Sequence, residues 1–276
     1  LIHKEFFAIL GFLHKNKDSS MRFFKLSFLI LLFVVLQAKA GDDEVHLAVS
    51  TTIQGPLDII CAKFSQATPY RCKITTAPTG HLYAHVMHGM AYDLFLSSDE
   101  EYTQGLINAN KVDPMSRLVL AMGKIVLWSA DPAIDPKALQ HTLNNESNTA
   151  IALANPGASS YGAAAKEVLQ KYNLWTQIQG RLVYGRNIRH TYELIESHTA
   201  SLGFVSLAQL SPDERASHHY WEPDPTSYKP VLHEVVTLKQ PQHPKATAAF
   251  MLFLKGNQAH QILQDAGFEH VAGKMM

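Results

Sequence analysis

The chain has little cysteine: two in 276 residues, Cys61 and Cys72. That leaves no cysteine cluster to hold a metal. Neither cysteine lies near Ala40, which removes the attachment point of a lipoprotein. Long apolar runs are missing too; the best, Leu26 to Leu36, is too short to span a bilayer comfortably. There is no G-x-S-x-G elbow and no ordered acid and base to follow one, so Ser159-Ser160 does not read as a nucleophile and no enzyme is expected. No repeat of fixed short period occurs. An excess of positive charge is also missing. Lys plus Arg and Asp plus Glu each number 24, and the segment 1–40 holds six of the basic and two of the acidic residues. The remainder carries a net charge of −4, which argues against nucleic acid as a partner. An anion site on such a surface has to work through local dipoles.

What is present begins with an export pattern. Met21-Arg22-Phe23-Phe24-Lys25 is a positive start, Leu26–Leu36 an apolar middle broken only by Ser27, and Ala38-Lys39-Ala40 a small-x-small cleavage site. Residues 21–40 therefore read as a secretory signal peptide, and 1–20 as an upstream extension of it. The chain is therefore expected to be exported. In an exported chain the two cysteines are expected to be bonded, Cys61 from the end of a helix to Cys72 at the start of a strand; the alternative is two small buried apolar side chains.

The chain as a whole is 46% hydrophobic, and its length from residue 41 onward supports one large domain or two small ones. The organising stretch is His46-Leu47-Ala48-Val49-Ser50-Thr51-Thr52-Ile53-Gln54-Gly55-Pro56-Leu57. An apolar run of strand length ends in three hydroxyls, then Gly55-Pro56 opens a helix in which Leu57, Ile60, Cys61 and Phe64 share a face. A strand, a hydroxyl turn and a helix aim free backbone N–H groups at one spot, and the helix dipole makes that spot suit an anion. An N-cap by Thr51 or Thr52 is the plainer use of the same residues. The pattern recurs three times: at Thr79-Gly80 after a strand over 70–77, at 155–162 after a strand over 149–154, and at Gly185-Arg186-Asn187-Ile188 after a strand over 181–184. Strands and helices alternate as in parallel sheets flanked by helices. Further helices are expected over 100–109, 137–143, 163–172, 189–197, 244–255 and 257–266, further strands over 91–99, 118–122, 124–128, 201–206 and 230–238, and a polar surface loop over 211–228.

Other conspicuous residues have ordinary uses. His81, His85 and His88 share a helix, but no matching carboxylate or cysteine cluster accompanies them, and a solvated face is expected rather than a cation site. Arg186 and Arg189 flank the fourth junction and suit surface or hinge pairing. No carboxylate sits at the four junctions, which favours a fully deprotonated guest.

The order of these features resembles the two-domain periplasmic solute-binding proteins, type II, and more narrowly the molybdate-binding receptors of ABC transporters. The likeness rests on the run from Gly89 to Asp99, which contains Asp93-Leu94-Phe95 and Ser98-Asp99; on Tyr161-Gly162 with Ala165-Lys166-Glu167; and on Gly203-Phe204-Val205. It covers 45–268. It implies an α/β fold of two domains, each a mainly parallel sheet flanked by helices, with the ligand cleft between them. The expected boundaries are 41–121 plus 233–276 for the first domain and 122–232 for the second. It also implies a monomer with no cofactor, capturing molybdate or tungstate for an inner-membrane permease. Sulfate or phosphate is the alternative cargo, and a sensor or enzyme on the same scaffold a more distant one. By position, Thr52 and Thr79 match family serines that give hydroxyl and amide, and Tyr161 and Ile188 match residues that give a backbone N–H. Thr51 and Gly80 adjoin them, and Ser206 stands where the family has a tyrosine hydroxyl.

Overall fold

The computed structural model describes residues 43–137, 149–269 and 271. The segments expected as upstream extension and signal peptide lie outside these residues, as does nearly all of the helix expected over 137–143. Among the described residues no helix is long and apolar enough to cross a membrane.

Two five-stranded sheets carry the fold. The first is built from β1 (Glu44–Ser50), β2 (Arg71–Ala77), β3 (Leu94–Ser97), β4 (Leu118–Gly123) and β10 (Val231–Thr237), in the order β2-β1-β3-β10-β4. The second contains β5 (Ile125–Trp128), β6 (Ile151–Ala154), β7 (Leu182–Gly185), β8 (Leu202–Ser206) and β9 (Tyr220–Trp221), in the order β7-β6-β8-β5-β9. In each sheet one strand opposes the rest. β10 is antiparallel to both β3 and β4, and β5 to both β8 and β9. Those two strands follow the points where the chain passes from one sheet to the other, at Lys124 and again before Val231.

Helices cover both faces of each sheet, and the alternation of side chains along the strands explains why. On β1, Val45, Leu47 and Val49 face a core completed by α1 (Gln54–Ala67), α8 (Pro244–Leu254) and α9 (Asn257–Asp265). Ala48 faces the opposite layer, formed by α2 (Thr79–Met87) and α3 (Glu100–Asn108). The second sheet does the same with α4 (Ser160–Lys171) and α5 (Trp175–Ile178) on one side, and α6 (Ile188–Glu196) on the other. Phe64 anchors the first core, meeting Phe250 edge-on with ring centroids 4.9 Å apart. Beside it the Cys61–Cys72 disulfide ties α1 to β2, with the Cα atoms 5.8 Å apart.

Two expectations need correcting. α1 starts at Gln54, earlier than expected, after a 3-10 turn over Thr51–Ile53. Pro56 is thus its third residue, where its missing N–H is still no loss. The stretch 211–228 is not all loop. It contains α7 (Pro212–Ser217), whose start is fixed by a reciprocal cap: Ser211 Oγ accepts from the Glu214 N–H, and Glu214 accepts from the Ser211 N–H. It also contributes β9, which pairs with β5.

Candidate functional site

The carboxyl ends of β1, β3 and β6 and the helix starts beside them open onto one cleft of about 500 Å³. Its walls include Thr51, Thr52, Thr79 and Gly80 from the first sheet's side, and Tyr161 and Ile188 from the second. Ser206, grouped with them by sequence, is not in the wall. It is fully buried, and its Oγ donates to the Tyr161 hydroxyl at 3.1 Å.

The floor is a set of linked hydroxyls. Ser50 Oγ lies 3.0 Å from Thr52 Oγ1 and 3.0 Å from Ser98 Oγ. Thr79 Oγ1 donates to Ser50 Oγ at 3.1 Å and lies 3.2 Å from Ser98 Oγ. Neither Thr51 nor Thr52 caps α1; the residues flanking the 3-10 turn and α1 make no side-chain cap. Ser50 and Ser98 belong to this floor although the sequence pattern does not single them out as ligand groups; Ser50 ends β1 and Ser98 directly follows β3.

The opposite wall offers amides. The cap of α4 is Ser159, whose Oγ accepts from the Gly162 N–H, the third of the helix. The cap of α6 is Asn187, whose Oδ1 accepts from the His190 N–H at 2.8 Å, again the third. In both helices the first two N–H groups, those of Ser160 and Tyr161 and of Ile188 and Arg189, have no carbonyl within the helix to reach. Gly162 is required here: a Cβ would stand 2.2 Å from the Ala154 carbonyl oxygen. Gln209 Nε2 donates to the Ile188 carbonyl at 3.0 Å and steadies that turn.

The two sides touch directly. Ser160 Oγ donates to the Ser98 carbonyl at 2.6 Å. Deeper down, the Tyr161 hydroxyl meets His233 Nε2 of β10 at 3.0 Å. Burial pushes the Tyr161 phenol well above its ordinary range, so it stays protonated and available as a donor. Burial lowers His233 to about 3, so the imidazole is neutral. Ser206, Tyr161 and His233 thus form a buried hydroxyl–hydroxyl–imidazole chain behind the cleft.

Charged groups stand at the rim, one of them from outside the four junctions. A carboxyl does line the cleft: Asp99. Burial raises its pKa, and its Oδ1 accepts from the Glu101 N–H at 3.0 Å as the cap of α3. The sequence hid it because it ends the strand run at Ser97-Ser98 and belongs to none of the four junctions. Arg186 also lines the cleft, whereas Arg189 pairs with Glu193 at 3.1 Å on the surface. Of the three helix histidines, His81 reaches the cleft wall and His85 Nδ1 meets the Tyr92 hydroxyl at 3.3 Å.

A family model described as bacterial extracellular solute-binding protein matches residues 45–269. The chain belongs to that family. Among its relatives, this solute-binding protein is 32% identical to the molybdate-binding protein ModA of Rhodobacter capsulatus over 240 residues, 87% of this chain and 92% of that one. Among solved structures it superposes on the periplasmic molybdate-binding protein of Azotobacter vinelandii with a TM-score of 0.76 at 29% identity, covering 82% of this chain and 99% of the other. The sulfate-binding protein SubI of Mycobacterium tuberculosis shares the fold, with a TM-score of 0.67 at 14% identity, covering 83% and 88%. The fold is therefore the two-domain periplasmic binding-protein architecture.

Proposed function

We propose that this chain captures molybdate or tungstate in the cleft and delivers it to an inner-membrane ABC permease. Relatives with about 30% identity over most of both chains are named for molybdate binding. The observation that carries the reading is the linked hydroxyl floor facing two capped helix starts. A doubly charged anion leaves water only if its oxygens are hydrogen-bonded in the site. Thr52 and Thr79 supply hydroxyls, with Thr51 and Gly80 beside them; Tyr161 and Ile188 supply N–H groups. Each hydroxyl has one proton. When Thr52 and Thr79 turn theirs to the guest, Ser50 and Ser98 are in place to donate to them in turn. Hydrogen bonds to a charged group are worth roughly 1.5–3 kcal/mol each, so a handful supports tight binding after the cost of association.

The lobes we assign are 41–121 with 233–276, and 122–232, hinged where the chain crosses between sheets. Cleavage after Ala40 would release a monomer into the periplasm, with no nucleic acid, cofactor or chemical reaction involved. The test is a calorimetric panel of molybdate, tungstate, sulfate and phosphate. Heat with the two metal oxyanions and little with the others is the expected result; no heat with either metal oxyanion removes the reading.

A further inference from the structure

The cleft occupies one end of β1 and β3. At the opposite end of the same strands, about 13 Å away at roughly 3.3 Å per strand residue, a cluster stands apart from everything above. It is formed by His46 on β1, Asp93 just before β3, and His243 just before α8. We propose that His46, Asp93 and His243 bind a divalent transition-metal ion of the zinc class.

Ligating atoms of the three side chains all lie within 4.8 Å of one another. Small side-chain rotations bring such a set to a common ion at bond lengths of about 2.0–2.2 Å. The carboxylate is held in place. Asp93 Oδ2 accepts from the His46 N–H at 2.7 Å and faces His243 Nδ1 at 2.8 Å; Oδ1 accepts from the His243 N–H at 3.1 Å. The main chains are locked as well, since the Asp93 N–H donates to the His46 carbonyl at 2.8 Å. The imidazole rings tilt toward each other with centroids 4.5 Å apart.

Charge supplies the second argument. Asp93 is fully buried, and its carboxylate meets two main-chain N–H groups and one imidazole. An ion shared with both imidazoles would bring positive charge to that buried anion. The two side chains that lead outward, His46 at 22% exposed and His243 at 14%, leave a solvent side for entry and for a water ligand. Glu44 Oε2, 3.3 Å from His46 Nε2, provides the kind of outer partner a metal-bound imidazole carries on its other nitrogen. Two imidazoles and one carboxylate suit zinc, nickel or cobalt; calcium and magnesium prefer oxygen donors.

The experiment titrates the full chain, purified without a histidine tag, with zinc chloride by calorimetry, alongside calcium chloride. One zinc per chain and no calcium heat is the expected result. His46→Gln and His243→Gln should each weaken zinc at least ~10-fold, while a His81→Gln/His85→Gln/His88→Gln chain binds as the parent does. Absence of zinc heat, or equal affinity in the His46 and His243 variants, overturns the proposal. Because those variants are able to fail by misfolding, the parent chain gives a second reading. Zinc should protect His46 and His243 from diethyl pyrocarbonate, read by mass spectrometry, and unchanged labelling of both overturns it. Molybdate titrated in parallel reports on the cleft separately.

Discussion

Acidifying the solution should unload the core through His233. This imidazole is 1% exposed, between Tyr161 and the edge of Phe268, whose ring centroid is 4.9 Å away. Burial holds its folded pKa at about 3, against an ordinary value near 6.5. The unfolded chain therefore takes up a proton as pH falls through about 6.5, and the folded chain does not until about 3. Stability is full above the unfolded value and is lost on acidification between the two. At about 1.36 kcal/mol per unit, this one group removes about 2 kcal/mol between pH 7.5 and pH 5. The assay is urea unfolding at both pH values, for the parent and for His233→Gln, which keeps a polar partner for Tyr161 but does not charge. The gap between the two should move by about 2 kcal/mol in favour of the glutamine variant at pH 5. Parallel pH curves would show that His233 is already charged, or hydrated, in the folded chain.

Three further outcomes follow from the same geometry. Thr79→Ala removes one hydroxyl from the floor and should weaken molybdate by roughly 10- to 150-fold, from 1.5–3 kcal/mol per charged hydrogen bond, measured by calorimetry with folding checked by circular dichroism. Arg117 pairs with the buried Glu234 through Nε at 2.9 Å and an NH2 nitrogen at 2.8 Å. Arg117→Met strands that carboxyl and should cost about 3–5 kcal/mol in urea unfolding. A Cβ on Gly123 would lie 2.0 Å from the Tyr161 hydroxyl oxygen. Gly123→Ala should therefore displace that ring, lowering both the melting temperature and molybdate affinity, where a neutral surface change would move neither.

Much of the architecture is legible because apolar runs and junctions are local signals. The apolar run Leu47-Ala48-Val49 reads as a buried strand, Gly185-Arg186-Asn187-Ile188 as the junction before α6, and 155–162 as the junction before α4. What the sequence hid is what depends on long-range pairing. Ser50 and Ser98 meet only because β1 lies beside β3, 48 residues on. His46, Asp93 and His243 are separated by 47 and 150 residues, so no spacing rule gathers them. Asp99 entered the cleft wall because its neighbour strand ends there. Ser206 ends β8 buried, with its Oγ on the Tyr161 hydroxyl and not in the cleft wall. α7 is a different case: its Ser211-Pro212-Asp213-Glu214 capping box is a local signal set in polar, proline-bearing composition that reads as loop.

The central claim is that uncharged hydroxyl and N–H groups from the two lobes replace the water around one tetrahedral dianion. Calorimetric titration of the purified chain with molybdate, with sulfate as competitor, tests it most directly. The account predicts one tight site per chain that excess sulfate does not displace. No heat with molybdate, or full displacement by equimolar sulfate, would contradict it.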